Sequence, residues 1–348
     1  MRTPAAETNP YLHRFAWFTA AATLLLICSG GMVTSKGVGL AVPDWPTTFG
    51  YNMFFFPISK WVGGIFFEHT HRLIASVIGF LTIILAVWLW RSRVARWLKV
   101  LCWASLGAVV LQGILGGLRV TLLKDEIGIF HACLAQAFFG LLVLIALATS
   151  PIWRRLSQSE ARVPSRSLAI FALLISGLIY GQLGLGATMR HQHRDLSILD
   201  FPLAYGQVIP ATDPATIARI NQVRDRQALS DVTAGQIWLQ MAHRFGAALI
   251  GPGIAAFWFI VRRKDFAASA LHKLSNLWFG LVLLQITLGA WTIWSNKAAD
   301  IATAHVAVGA VTFATGIIIS AVLFRLRHPA PAALPALPVA QFAEVAAS

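Results

Sequence analysis

Long apolar segments separated by short polar ones recur along the whole chain. A helix that crosses a bilayer needs about 20 mostly apolar residues, because the hydrocarbon layer is about 30 Å thick. Segments of that length, called spans 1 to 8 here, occur at 15–34, 71–90, 97–118, 129–149, 168–188, 237–261, 275–294 and 303–324. The pattern predicts an all-α integral membrane protein with eight transmembrane helices.

Composition agrees with the lipid bilayer as the solvent of this chain. Of its 348 residues, 57% are hydrophobic and only 12% are charged. Soluble domains have about 25% charged residues. The composition therefore excludes an ordinary soluble globular protein.

Basic residues lie mainly on segments that share one side of the membrane. They are Arg2, Arg14, Arg91, Arg93, Arg96, Lys99, Arg154, Arg155, Arg162, Arg166, Arg262, Arg263, Lys264, Lys273, Arg325 and Arg327. The positive-inside rule makes that side cytoplasmic, with both termini inside. The net charge of +14 is thus a topology signal, and no nucleic-acid partner is expected. Cys28, Cys102 and Cys133 all fall in predicted spans, which indicates no outer disulfide and no thiol redox centre.

An internal repeat organises the chain. Residues 39–51 after span 1 read GLAVPDWPTTFGY, residues 195–207 after span 5 read DLSILDFPLAYGQ, and both contain D-[WF]-P-x-x-[FY]-G. EHTHR and QMAHR begin spans 2 and 6, while LQGILGG and LQITLGA lie in spans 3 and 7. Repeated halves predict equivalent sites and two tandem four-helix bundles.

The repeat predicts four segments. Residues 1–150 form an N-terminal half, 151–167 a cytoplasmic linker, 168–327 a C-terminal half, and 328–348 a flexible tail. The second half carries a polar, partly helical insertion at 208–235, to which the sequence assigns no chemistry.

Four of the ten histidines occupy repeat-equivalent positions near the outer ends of the even-numbered spans. They are His71, His131, His243 and His305. Ionisable residues at membrane depth usually face the bundle interior. Two imidazoles on different helices of each half suit axial coordination of haem iron from both sides. A tetrahedral zinc site would be incomplete, because no cysteine or matched carboxylate set accompanies them.

Two further positions bear on chemistry. Glu68 precedes His71 by one helical turn, and its counterpart is Gln240, so only the first half has a proton-accepting carboxylate. The alternative for Glu68 is a helix cap. Arg72 and Arg244 are candidate partners for haem propionates, the alternative being interaction with lipid phosphate. The roles of His69, His191 and His193 stay open.

Together, E-x-x-H-R at Glu68–Arg72, the His243-Arg244 pair, His131 and His305 resemble the heme A synthase family, in its cysteine-free branch, over nearly the whole chain. Members of this family are membrane enzymes of bacteria, related to a mitochondrial cytochrome oxidase assembly factor. Some members carry cysteine pairs in the outer loops, which this sequence lacks.

The resemblance implies an activity. Heme O would be oxidised at its C8 methyl to the formyl group of heme A, for cytochrome oxidase biogenesis. His71 and His131 would hold the substrate haem with Glu68 acting in catalysis, and His243 and His305 would hold a b-type haem. A farnesyltransferase would supply heme O, an electron carrier of unspecified identity would take part, and the location would be the bacterial inner membrane, with the haem sites toward the outer side.

Three other functions are alternatives to this activity. A dihaem b-type cytochrome exchanging electrons with quinone is disfavoured, because common dihaem cytochromes carry both ligand pairs on the same two helices. A transporter would need an anionic substrate for the His-Arg pairs and an unwound helix. A haem-carrying assembly protein would leave Glu68 without a role. The sequence leaves open the oxygen source and whether the chain forms homo-oligomers.

Overall fold

The computed structural model describes residues 9–157, 163–191, 196–263 and 269–327, and within these ranges it contains helices but no β-strand. The helices are α1 (Pro10–Ser35), α2 (Gly63–Arg91), α3 (Arg96–Leu122), α4 (Asp125–Ala148), α5 (Pro151–Ser157), α6 (Arg166–His191), α7 (Pro214–Arg226), α8 (Ala234–Arg263), α9 (Ser269–Trp294) and α10 (Ala299–Arg327). Short 3₁₀ turns at Met53–Phe55 and Ile58–Lys60 interrupt the loop between α1 and α2.

Eight of these helices are long and apolar enough to cross a membrane, namely all except α5 and α7. The predicted fold class and span count are confirmed. Several helices extend beyond the predicted spans. Asn9 accepts hydrogen bonds from the N–H groups of Tyr11 and Leu12 and so starts α1 before the apolar run begins.

The transmembrane helices form two rings of four. In the first ring α1 packs on α2 and α4, and α3 packs on α2 and α4. In the second, α6 packs on α8 and α10, and α9 packs on α8 and α10. The rings are pressed together through α1, α4, α6 and α10, and Ala310 and Ala314 of α10 belong to the core of the first ring. The predicted boundaries of the halves stay a prediction.

The two loops that carry the repeated motif have the same local structure. Asp44 accepts hydrogen bonds from the N–H groups of Phe49 and Gly50, at 2.7 and 2.9 Å. Asp200 accepts the equivalent pair, five and six residues further on, at 2.8 and 2.9 Å. Both motifs contain a cis peptide bond before proline and a left-handed residue before their glycine. These loops cover the same end of the two rings.

The insertion of the second half contains the amphipathic helix α7. Ile217 and Ile220 pack against a small buried cluster that includes Ile198 and Ile237. The buried Arg224 donates hydrogen bonds to the carbonyl of Ser230, within the insertion, and to that of Leu196, in the second motif loop. The predicted partial helix is thus present, and it is fixed to the second motif loop.

Some sequence predictions concern residues outside the described ranges. These are Arg2, Arg162, His193, Arg194, Asp195, Lys264, His328, residues 158–162 of the linker and the tail 328–348.

Candidate haem sites

Each of the four repeat-equivalent histidines lies against a glycine on a neighbouring helix. The distance that describes each contact joins the imidazole Cε1 to the position a Cβ atom would take on that glycine. The pairs are His71 with Gly30 (2.9 Å), His131 with Gly116 (3.5 Å), His243 with Gly186 (3.3 Å) and His305 with Gly289 (3.3 Å). All four rings therefore rest on helix backbone that has no side chain at the contact.

The two nitrogens of each ring have different surroundings. In all four histidines Nδ1 is buried and makes no hydrogen bond of ordinary geometry within the described residues, while Nε2 is left accessible. An axial haem ligand requires an Nε2 atom that no protein group occupies, and within the described residues these four rings meet that condition. The geometry fits iron coordination through Nε2.

The spacing of the second pair gives a direct test of that fit. The ring centroids of His243 and His305 are 6.4 Å apart, and the ring planes are inclined by 68°. A metal–nitrogen bond of about 2.0–2.1 Å on each side, plus the ring radius, separates two imidazole centroids across one metal ion by about 6.3–6.5 Å. The space between these two rings therefore matches one iron atom.

In the first half, His71 and His131 are close enough for their charges to interact, and Arg119 acts electrostatically on both.

Glutamine side chains support two of the helices that carry proposed ligands. Gln112 donates to the carbonyl of His131 (3.0 Å) and Gln182 to that of His243 (2.7 Å). The sequence reasoning missed both supports, although the repeated LQ dipeptide pointed to Gln112.

Glu68 is buried and joins the first motif loop to α2. It accepts a hydrogen bond from Val42 N–H at 2.9 Å and another from Arg72 at 2.7 Å. Arg72 also donates to the carbonyls of Val42, Asp44 and Thr47, at 2.9, 2.7 and 3.1 Å. Arg72 and Glu68 thus form an ion pair at 2.7 Å.

Gln240 and Arg244 make the equivalent connection without a carboxylate. The amide of Gln240 pairs with both backbone groups of Ile198, at 2.9 and 3.0 Å. Arg244 donates to the carbonyls of Asp200 and Leu203, at 2.6 and 2.8 Å. The two halves therefore hold their loops in the same way, and within these contacts only Glu68 differs in charge from its counterpart.

These contacts bear on the roles predicted for three charged residues. Glu68 does not act as a simple N-terminal cap, since α2 begins five residues earlier at Gly63 and the carboxylate binds the loop. The guanidinium groups of Arg72 and Arg244 bind loop carbonyls, and propionate binding by either stays a prediction. His69 is buried, with Nδ1 3.2 Å from the Thr48 hydroxyl, and belongs to the same loop contact.

Other candidate ligands do not cluster. Within the described ranges no three residues among histidine, cysteine, aspartate and glutamate are grouped to hold a metal ion. Cys28, Cys102 and Cys133 are free thiols inside helices. His191 is buried beside Gly128 at the outer end of α6.

The sequence of this chain is similar to those of known proteins. The chain is 26% identical to the heme A synthase of Shouchella clausii, over 82% of this chain and 88% of that protein. It is 25% identical to the heme A synthase of Halalkalibacterium halodurans (89% and 96%) and 27% identical to that of Shewanella oneidensis (82% and 89%). Residues 13–317 match the COX15-CtaA family model, described as cytochrome oxidase assembly protein. The chain belongs to this family.

Proposed function

We propose that this protein is a heme A synthase, an oxidoreductase that converts the C8 methyl group of heme O to the formyl group of heme A for cytochrome oxidase. The observation that carries the proposal is the combination of two matching histidine pairs with a carboxylate in the first half alone. Relatives named heme A synthase cover most of the chain and support the same activity.

The two sites are assigned different tasks. His71 and His131 hold the substrate haem, and His243 and His305 hold a b-type haem, for which the 6.4 Å ring separation is the supporting observation. A b-type haem bound there supplies one-electron transfer. Gly30, Gly116, Gly186 and Gly289 orient the rings by allowing them to lie on the neighbouring helix.

Glu68 is proposed to hold a proton during oxidation of the methyl group. An ionised carboxylate accepts about four hydrogen bonds, and the structure uses one on each Glu68 oxygen. Each oxygen therefore retains a lone pair that can take a proton while Arg72 keeps the side chain in place. Gln240 cannot do this, which restricts the chemistry to the first half.

The setting follows from the topology. The protein is proposed to lie in a bacterial cell membrane with both termini cytoplasmic and both haem sites toward the outer side. A farnesyltransferase would supply heme O, and an electron carrier would exchange electrons with the protein. Association of several copies stays open.

A dihaem cytochrome that only transfers electrons is not favoured. Its two sites would have no use for a carboxylate that distinguishes one half from the other. The placement of four histidines on α2, α4, α8 and α10 also differs from the shared two-helix arrangement of common dihaem cytochromes.

Haem extracted from the purified full-length protein would test the proposal. The protein is produced in cells that make heme O, and its haems are identified by mass spectrometry and by reduced-minus-oxidised spectra. Wild type should contain heme B together with heme O, a hydroxylated intermediate or heme A. Glu68→Gln should accumulate less-oxidised haem, because it lacks the carboxylate. The variant should keep its fold, because glutamine holds the equivalent loop at position 240.

Gln240→Glu is the matched control, since it places a carboxylate at the equivalent position of the second half. It should leave the haem products unchanged. Heme B alone in wild type and in Glu68→Gln would support the electron-transfer cytochrome. If Glu68→Gln converts heme O as wild type does, Glu68 is not a catalytic residue.

A further inference from the structure

One partly buried arginine beside the first site has no task in the proposed function. Arg119 lies on α3, three residues after Gly116, on which the His131 ring rests. Its charge interacts with those of two histidines, His71 and His131, and two carboxylates, Glu68 and Asp125. Arg119 therefore faces the same interior space as the two proposed ligands of the substrate haem.

Two glycines make room for this guanidinium. A Cβ atom on Gly39, in the loop after α1, would lie 2.9 Å from Nη1 of Arg119. A Cβ atom on Gly128, one turn before His131 on α4, would lie 2.5 Å from the His191 ring and 3.1 Å from Nε of Arg119. Side chains at these positions would displace the arginine, so the backbone on both sides is shaped around it.

Arg119 has no hydrogen-bond acceptor in the part of the chain that the structure describes. The nearby carboxylate of Glu68 accepts from Arg72 and Val42 instead. Arg119 is partly buried, and a guanidinium whose N–H donors lose water without gaining acceptors is destabilised. Such a group is prepared to bind an anion, and its planar fork matches the two oxygens of a carboxylate.

Two other partly buried arginines do have hydrogen-bond acceptors. Arg72 is held by Glu68 and by loop carbonyls, and Arg190 donates to the carbonyl of Gly31 and the hydroxyl of Ser35. Counted from the repeated LQ dipeptide, the counterpart of Arg119 in the second half is Thr292, whose hydroxyl donates to a carbonyl of its own helix. The uncommitted guanidinium is thus a feature of the first half.

We propose that Arg119 binds a carboxylate of the porphyrin substrate, a haem propionate, through two charge-assisted hydrogen bonds. The inference rests on the proposed function, which places the substrate haem between His71 and His131. It assigns the propionate contact of the first site to Arg119, since Arg72 is committed to the loop. Substrate recognition then requires a free carboxylate on the macrocycle.

Titration of the purified full-length protein in detergent would test this, with iron protoporphyrin IX and its dimethyl ester as the probes. The first-site component is defined as the binding that His71→Ala removes. In Arg119→Gln the dissociation constant of that component should rise about 10- to 100-fold for the free acid, the usual effect of losing hydrogen bonds to a charged group. The dimethyl ester should bind wild type and variant equally.

Arg226→Gln, an exposed arginine of α7, is the matched control for loss of one outer positive charge and should bind as wild type. Arg119→Lys keeps the positive charge but lacks the planar guanidinium, and it should bind the free acid with intermediate affinity. Retention of haem by His243 and His305 reports that each variant is folded.

The outcomes separate the two proposals. If His71→Ala removes no binding component, the first haem site itself is wrong and the proposed function fails. If that component exists but Arg119→Gln and Arg119→Lys both bind the free acid as wild type does, only the assignment of Arg119 is overturned. Equal losses for the free acid and the ester would also overturn it.

Discussion

At the scale of single residues, the contacts between histidine and glycine set the positions of the proposed ligands. A glycine lets an imidazole approach a helix more closely than any other residue would. The four contacts are not equally tight, because the hypothetical Cβ of Gly30 is 2.9 Å from its ring and that of Gly116 is 3.5 Å from its own. The two positions should therefore differ in their tolerance of alanine.

Gly30→Ala should weaken haem binding at the first site about 10- to 100-fold, as loss of ligand support typically does. The new methyl group must push the His71 ring aside, whereas the helix itself gains from alanine. The measurement is haem titration with the spectrum of the bis-histidine complex as the readout. Gly116→Ala, where the added methyl makes an ordinary contact, is the matched control, and equal behaviour of the two variants would refute the argument.

The histidines could be predicted from the sequence and their glycines could not. The repeat identified His71 and its three counterparts because a shared motif precedes each of them. A glycine that receives a ring from another helix has no local pattern, since the contact depends on how the helices pack. Arg119 was missed for a related reason: it has no counterpart in the second half, so the repeat could not single it out.

At the scale of elements, the motif loops are small hydrogen-bonded units attached to α2 and α8. Partial burial of Asp44 opposes its ionisation, but hydrogen bonds from Gly50, Thr47 and Phe49 outweigh it and hold the pKa of Asp44 below its usual value. The sequence predicted that the loops were equivalent, but it could not show that Glu68 and Gln240 hold them. That role depends on contacts 26 and 42 residues apart.

The lowered pKa of Asp44 predicts a pH-dependent contribution to stability. An aspartate has a pKa of about 3.9 in the unfolded chain, so the contribution is present above about pH 4 and is lost as the pH falls through the lower folded-state value. Thermal unfolding in detergent between pH 7 and pH 3 should show wild type more stable than Asp44→Asn at neutral pH. The difference should narrow at the acid end, and a constant difference over the range would contradict the assignment.

At the scale of the whole molecule, the two rings act as one body with a shared interface. Arg190 of α6 crosses that interface and donates to the carbonyl of Gly31 and the hydroxyl of Ser35 on α1, with a longer contact of 3.5 Å to the carbonyl of Ala302 on α10. The repeat predicted two bundles but not this connection, because position 190 has no arginine counterpart in the first half.

Arg190→Gln should lower the free energy of unfolding by about 1–3 kcal/mol, because it leaves buried acceptors without their charged donor. Thermal or denaturant unfolding of the purified protein measures the effect. Arg226→Gln removes the same charge from an exposed position and should change stability little. A loss no larger than in that control would show that the interface does not depend on Arg190.

Orientation in the membrane decides which side the haem sites face. The two motif loops and the ligand-bearing ends of α2, α4, α8 and α10 lie at one end of the rings, and the basic connections lie at the other. The positive-inside rule therefore predicts that the proposed haem sites face the outer side. In a background with the three native cysteines changed to alanine, a membrane-impermeant maleimide should label Arg219→Cys in intact spheroplasts and Arg93→Cys only after lysis. The reverse labelling pattern would show the opposite orientation, with both haem sites on the cytoplasmic side.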